Sequence, residues 1–263
     1  MGESLRSPRA FLALGAVFAA LVVGFVRLPV HLAALGSQVA PRDQNGIIAL
    51  LVPAIVASWG SSDTEPTADL LALEGYWVRF HLFKAAFAIA ASVTIVLLAR
   101  ALWRTGHVWG AATLAAPGLL GLVALLANLQ GAVAPGPSLQ SMLPLRRDGS
   151  LGAVLLDVRA DLARQGSGVV RSVRVGRLID EFALYHWVFA ALSAITAVVL
   201  AVAVLRGRHT TAPSSADARH ARRARRVLLV GGTLSSLAWA VLCAANLSTA
   251  LDPVSGLLGW LRL

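Results

Sequence analysis

A chain of 263 residues with 57% apolar and only 14% charged residues lies outside the range of soluble domains and reads as an integral membrane protein. The net charge of +10 sits in arginine blocks between apolar segments, where topology and lipid phosphates account for it. No nucleic-acid-binding motif accompanies it, so lipids are the expected partners, with another membrane protein as a further candidate, and nucleic acid is not. Cys243 is the single cysteine, which excludes an intramolecular disulfide and a thiolate metal cluster.

The hydrocarbon core is about 30 Å thick, so a crossing helix needs roughly 20 apolar residues. Five segments meet this, at about 10–36, 76–102, 108–132, 182–205 and 227–250. Arg6 and Arg9 before the first apolar run resemble a signal peptide. The run continues past Phe25 without a small-residue cleavage site, so a retained helix is expected. Residues 46–59 are apolar but too short to cross, and Pro53 interrupts them, which points to an interfacial or re-entrant segment. Apolar residues recur at helical spacing over 151–164, with Asp157, Arg159, Asp161 and Arg164 among them, which predicts an amphipathic surface helix. Residues 210–217 are small and polar and read as a connecting loop.

The predicted fold is therefore all-α: one integral membrane domain over 1–263, multi-pass, in the plasma membrane. Seven arginines between Arg206 and Arg226 mark that short loop as cytoplasmic, together with the N-terminus. The segments at about 40–74 and 133–181 then form two extracytoplasmic loops. The second also carries seven arginines, at 146, 147, 159, 164, 171, 174 and 177, but spreads them over more than twice the length. Trp77 and Trp187 are expected at one membrane interface, and Trp103 and Trp109 at the other.

Comparison of the segments suggests an internal parallel repeat of helix, outer loop and helix. Phe80-His81-Leu82-Phe83-Lys84-Ala85-Ala86 and Tyr185-His186-Trp187-Val188-Phe189-Ala190-Ala191 open the second and fourth spans. The third and fifth spans end on Ala127-Asn128-Leu129 and Ala245-Asn246-Leu247, followed by Pro135 and Pro253, and Pro41 is the expected counterpart after the first. Parallel repeats bring equivalent positions to one depth. At 100° per residue His81, Ala85, Ala88 and Ser92 share a face, as do His186, Ala190, Ser193 and Ala197, and small residues favour helix contact there.

Ionisable groups near hydrocarbon point to a cavity, a partner or a pathway. The candidate ligand-binding residues are His31, Glu74, His81, Lys84, Asn128, Glu181, His186 and Asn246, gathered in a polar chamber beneath the outer loops. Headgroup contact and ion pairs with Arg79, Arg27 or Arg177 are the plainer explanation of the same residues. No phosphate loop, metalloprotease helix or serine elbow is present. The expected function is a non-enzymatic binding, accessory or complex-forming role with no cofactor favoured. One alternative is a membrane redox subunit or enzyme holding haem or a transition metal on His81 and His186, and another is a small-molecule or ion transporter. In the second and fourth spans, residues 88–99 and 194–204 carry only Ser92, Thr94 and Thr196 as polar groups, so a complete polar pathway is not visible.

Overall fold

The computed structural model describes residues 8–61, 65–144, 149–164, 172–209 and 218–261, and contains no strand among them. Eleven helices follow in order among these residues: α1 (Pro8–Arg27), α2 (Pro29–Ala34), α3 (Gln44–Gly60), α4 (Ala68–Arg104), α5 (Val108–Thr113), α6 (Ala115–Val133), α7 (Pro135–Gln140), α8 (Gly149–Arg164), α9 (Val173–His209), α10 (Ala218–Leu251) and α11 (Pro253–Trp260). Five helical stretches are long and apolar enough to cross a membrane: Arg9–Arg27, Ala68–Arg104, Val108–Val133, Val173–Arg208 and Arg219–Leu251. The expectations for Arg6, Arg146, Arg147, Arg171 and the loop 210–217 fall outside the described residues.

Prolines set the breaks. The predicted first span divides at Leu28, before Pro29, and the helix ends at Ala34, with Gly36 at φ 69° beyond it. The predicted third span divides at Leu114, because the ring of Pro117 crowds the carbonyl of Thr113 one turn earlier. Pro135 and Pro253 each start a short helix after one non-helical residue, Ala134 (φ −127°, ψ 74°) and Asp252 (φ −130°, ψ 69°). In this role the first long helix uses Pro29, whereas Pro41, the expected counterpart, lies outside any helix. Pro53 sits inside α3 without ending it.

The second and fourth crossing helices begin earlier than their apolar runs. Both α4 and α9 have 37 residues, about 55 Å at 1.5 Å per residue, against a hydrocarbon core of about 30 Å. Their polar first turns, with Asp69 and Glu74 on α4 and Arg174, Arg177, Asp180 and Glu181 on α9, therefore extend beyond a single bilayer core.

The chain forms two compact units. One comprises Met1–Arg27, Lys84–Ala127 and Ala190–Ala244, and the other Leu28–Phe83, Asn128–Phe189 and Ala245–Leu263. In the first unit small residues bring helices together. The face carrying Ala85 and Ala88 is buried, as is that carrying Ala190, Ser193 and Ala197. A Cβ at Gly121 of α6 would lie 2.8 Å from Ser92 Oγ of α4, and one at Gly232 of α10 would lie 2.7 Å from Val204 Cγ2 of α9, so both glycines permit close approach. Ser236 donates a 2.9 Å hydrogen bond to the carbonyl of Ala197. Arg225 binds the carbonyls of Gly207 and Arg208, capping the end of α9, while Arg219, Arg222, Arg223 and Arg226 are exposed.

The second unit has a conventional apolar core. Leu151, Leu155, Val158 and Leu162 line one face of α8 at spacings of four, three and four, and pack with Ile47 and Leu51 of α3. Leu73, Tyr76 and Trp77 of α4, Val175 and Ile179 of α9, and Leu257 of α11 complete it. Each fully buried aliphatic side chain of this kind contributes about 1.5–3 kcal/mol, enough for the cluster to hold two helices that cannot cross a membrane themselves. Asp43 caps α3 by accepting from Gly46 N at 2.8 Å. Asp252 caps α11 through Ser255 N, and the hydrogen bonds from Ser255 hold its carboxyl below the ordinary pKa. Trp77 is packed inside the protein rather than presented at its surface. It is 5% exposed and stacked on Phe80 at 5.1 Å, whereas Trp187, Trp103 and Trp109 remain exposed.

Candidate functional site

The two histidines make the same bond. His81 Nδ1 lies 2.8 Å from Asn128 Oδ1, and His186 Nδ1 lies 2.8 Å from Asn246 Oδ1. An amide oxygen only accepts, so each ring nitrogen Nδ1 carries the proton. The bonds tie α4 to α6 and α9 to α10 within the second unit, and Asn128 is almost fully buried.

A short relay continues from His81. Trp77 Nε1 donates to Ser138 Oγ at 3.0 Å, and Ser138 Oγ stands 3.5 Å from His81 Nε2, the nitrogen left as acceptor. Ser138 belongs to α7, so the proline break after α6 is what delivers it. The imidazole lies directly over Gly131, where an added Cβ would meet Nε2, Cε1 and Cδ2 at 2.6, 2.7 and 2.8 Å. Trp77 presents an edge to the ring at 4.6 Å, and Phe182 presents one to His186, also at 4.6 Å. Gln130 Nε2 donates to the carbonyl of Tyr185 at 3.0 Å, a further tie between α6 and α9.

The carboxylates lie elsewhere. Glu74 and Glu181 converge on α7, where a Cβ at Gly136 would stand 2.5 Å from Glu181 Oε2 and 3.5 Å from Glu74 Oε1. Both line a cavity of about 120 Å³ whose apolar wall includes Ile55 and Trp59 of α3, Leu70 of α4, Val154 of α8, and Leu257 and Trp260 of α11. Arg177 Nε donates to Glu181 Oε1 at 2.6 Å and its Nη1 to Glu65 Oε2 at 3.1 Å. Arg174 donates to the carbonyls of Trp59, at 2.6 Å, and Ser61, so it closes the end of α3. Among the described residues Glu74 makes no hydrogen bond and no ion pair, although it is half-buried.

The eight sequence candidates thus separate into three groups. His81 with Asn128 and His186 with Asn246 form two bonded pairs, and none of the four lines the cavity. Glu74 and Glu181 line it together. His31 is exposed on α2, and Lys84 sits 4.6 Å over the Phe25 ring in the other unit, so neither joins this constellation. Sequence reading paired the acidic residues with Arg79, Arg27 or Arg177; Arg177 takes Glu181, while Arg79 reaches the carbonyl of Gly36. It did not single out Ser138, Gly131, Gly136 or Glu65. The four-residue step from Arg177 to Glu181 was a usable signal for their pairing.

At His81, Nδ1 is bonded to Asn128, and Nε2 stands over Gly131 at 3.5 Å from Ser138 Oγ. No three His, Cys, Asp or Glu among the described residues converge in a way that could hold a metal ion. Comparison with known protein families, curated proteins and solved structures gives no match.

The packing of His81 on Gly131 can be tested by a double-mutant cycle in detergent unfolding experiments. Alanine in a helix is favoured over glycine by up to about 1 kcal/mol, so Gly131→Ala would stabilise α6 if the space were open. With the imidazole in place the substitution is expected to destabilise by about 1–3 kcal/mol, and in a His81→Ala background to become neutral or stabilising. Equal effects in both backgrounds would show that the ring does not rest there.

Proposed function

We propose that this is an internally duplicated, multi-pass protein of the plasma membrane that binds a small molecule non-enzymatically in the cavity beside Glu74 and Glu181. The cavity carries the functional reading. A largely apolar pocket with a few convergent polar groups is the usual form of a small-molecule site, and a half-buried carboxylate without a bonded partner is a group left to recognise something. The histidine pairs then serve as fasteners that hold the long helices in register around it.

The duplication is supported by agreement between local features. His81 and His186 are each the fourteenth residue of a 37-residue helix, thirteen after Ala68 and Val173 respectively. Asn128 and Asn246 each precede their helix-starting proline by seven residues, Pro135 and Pro253. The residues at the two breaks share nearly the same dihedral angles. The order of long helix, proline-started short helix, helix of 16 or 17 residues and 37-residue helix occurs from α1 to α4 and again from α6 to α9, and α10 with α11 begins it a third time. The first copy lacks the asparagine: the position seven before Pro29 is Val22.

In this arrangement α3, α8 and the cavity face the outside of the cell, and the arginine-rich connection between α9 and α10 faces the cytoplasm. A Cys243→Ser protein carrying either Gln38→Cys or His107→Cys tests the orientation in intact cells with a membrane-impermeant thiol reagent. The cysteine at 38 is expected to label from outside and that at 107 only after lysis; the reverse pattern would invert the proposed topology.

Binding is tested by thermal unfolding of the purified protein with benzylamine, benzyl alcohol, benzoate and toluene. A ligand at 100 times its Kd stabilises by about 2.7 kcal/mol, a readily measured rise in Tm. At least one compound is expected to raise the Tm of the native protein and not that of Val154→Phe, which fills the cavity. No shift with any compound, or an equal shift in the filled variant, would remove the cavity as a binding site.

A further inference from the structure

We infer that the occupant of this cavity is a small organic amine, with its ammonium on Glu74 and a compact apolar body against Trp59, Leu70 and Trp260. The inference rests on the cavity being a binding site and adds the chemical class of its ligand.

Charge is the first ground. Three carboxylates and two guanidiniums line the cavity, and the guanidiniums are already engaged. Arg177 bridges Glu181 and Glu65, while Arg174 is spent on the carbonyls of Trp59 and Ser61. The group left over is Glu74, a carboxyl that makes no hydrogen bond or ion pair among the described residues and that Arg177 offsets only at longer range. An anion entering here would meet Glu74 and Glu181 together, with both guanidiniums already engaged. A neutral alcohol would donate one hydrogen bond without balancing the charge, whereas an ammonium does both, and hydrogen bonds between ionised partners are about twice as strong as neutral ones.

Shape is the second. Calcium prefers six to eight oxygen ligands, and a wall of isoleucine, leucine, valine and tryptophan does not supply them. The volume of about 120 Å³ is of the order of a cavity that accepts benzene, about 150 Å³, so the apolar body is one ring or a short branched chain. Trp59 and Trp260 offer flat apolar surface, and their π faces also favour a nearby cation.

The test compares benzylamine, benzyl alcohol and benzoate at pH 7.5 on the detergent-purified full chain, in the native form and in Glu74→Gln and Asp161→Asn. Glutamine keeps the shape of Glu74 and removes its charge, and the Tm of each variant without ligand checks its folding. Benzylamine is expected to bind most tightly, to lose about 10- to 100-fold in affinity in Glu74→Gln, and to be unchanged within about threefold in Asp161→Asn, whose side chain pairs with Arg164 away from the cavity. Benzyl alcohol or benzoate binding as well as benzylamine would overturn the amine assignment while leaving the cavity a binding site. Benzylamine binding unaltered in Glu74→Gln would also overturn it. Failure of all three compounds would overturn the amine assignment, and failure of toluene as well would overturn the binding reading itself.

Discussion

A hydrogen bond from a histidine Nδ1 to an asparagine Oδ1, made twice at 2.8 Å, is the constraint around which the long helices are arranged. Near hydrocarbon a polar side chain without a partner is costly, and water cannot be relied on to supply one. Each histidine and each asparagine therefore dictates where the other's helix must lie. Dispersion contacts between alanine-rich helices are weak in directing rotation, and a pair of part-buried, hydrogen-bonded polar groups fixes it. Around His81 the consequence extends further: the ring needs Gly131 beneath it and Ser138 beside it, and Ser138 arrives only because the chain breaks at Ala134 and restarts at Pro135.

The same break positions the carboxylates. Gly136 is the second residue of the helix that carries Ser138, and Glu74 and Glu181 meet at its backbone. One six-residue helix thus touches the histidine relay on one side and the cavity on the other. This separates two roles that the sequence alone would merge. The histidines spend hydrogen bonds on holding helices, while Glu74, two turns before His81 on the same helix, lines the cavity without a hydrogen bond or ion pair among the described residues.

Much of the helical plan was legible because it is written in local terms. Five apolar runs give five helices long and apolar enough to cross a membrane, the 3.6-residue spacing over 151–164 gives α8, and the small-residue faces that follow His81 and His186 are buried as their spacing suggests. The helix limits were less legible, because α4 and α9 continue through residues too polar for lipid, where the pattern of apolar residues ends but helix propensity does not. Trp77 read as an interface anchor, since an indole near a helix start usually is one; its burial depends on Ser138, 61 residues away. The proline after the first helix was matched at Pro41 by offset, whereas Pro29 is the one that starts a helix. Gly131 and Gly136 could not be found at all from sequence, because a glycine that makes room for a distant side chain carries no local signature.

The tautomer of the two imidazoles tests the central interaction most directly. In free neutral histidine the proton favours Nε2, so a bond to an asparagine oxygen must reverse the preference. Nitrogen-15 spectra of the histidine-labelled protein in lipid, with His81 and His186 assigned by single substitution, report the protonated nitrogen of each neutral ring. Both are expected as the Nδ1–H form. An Nε2–H form at either position would contradict the paired fastening of the helices.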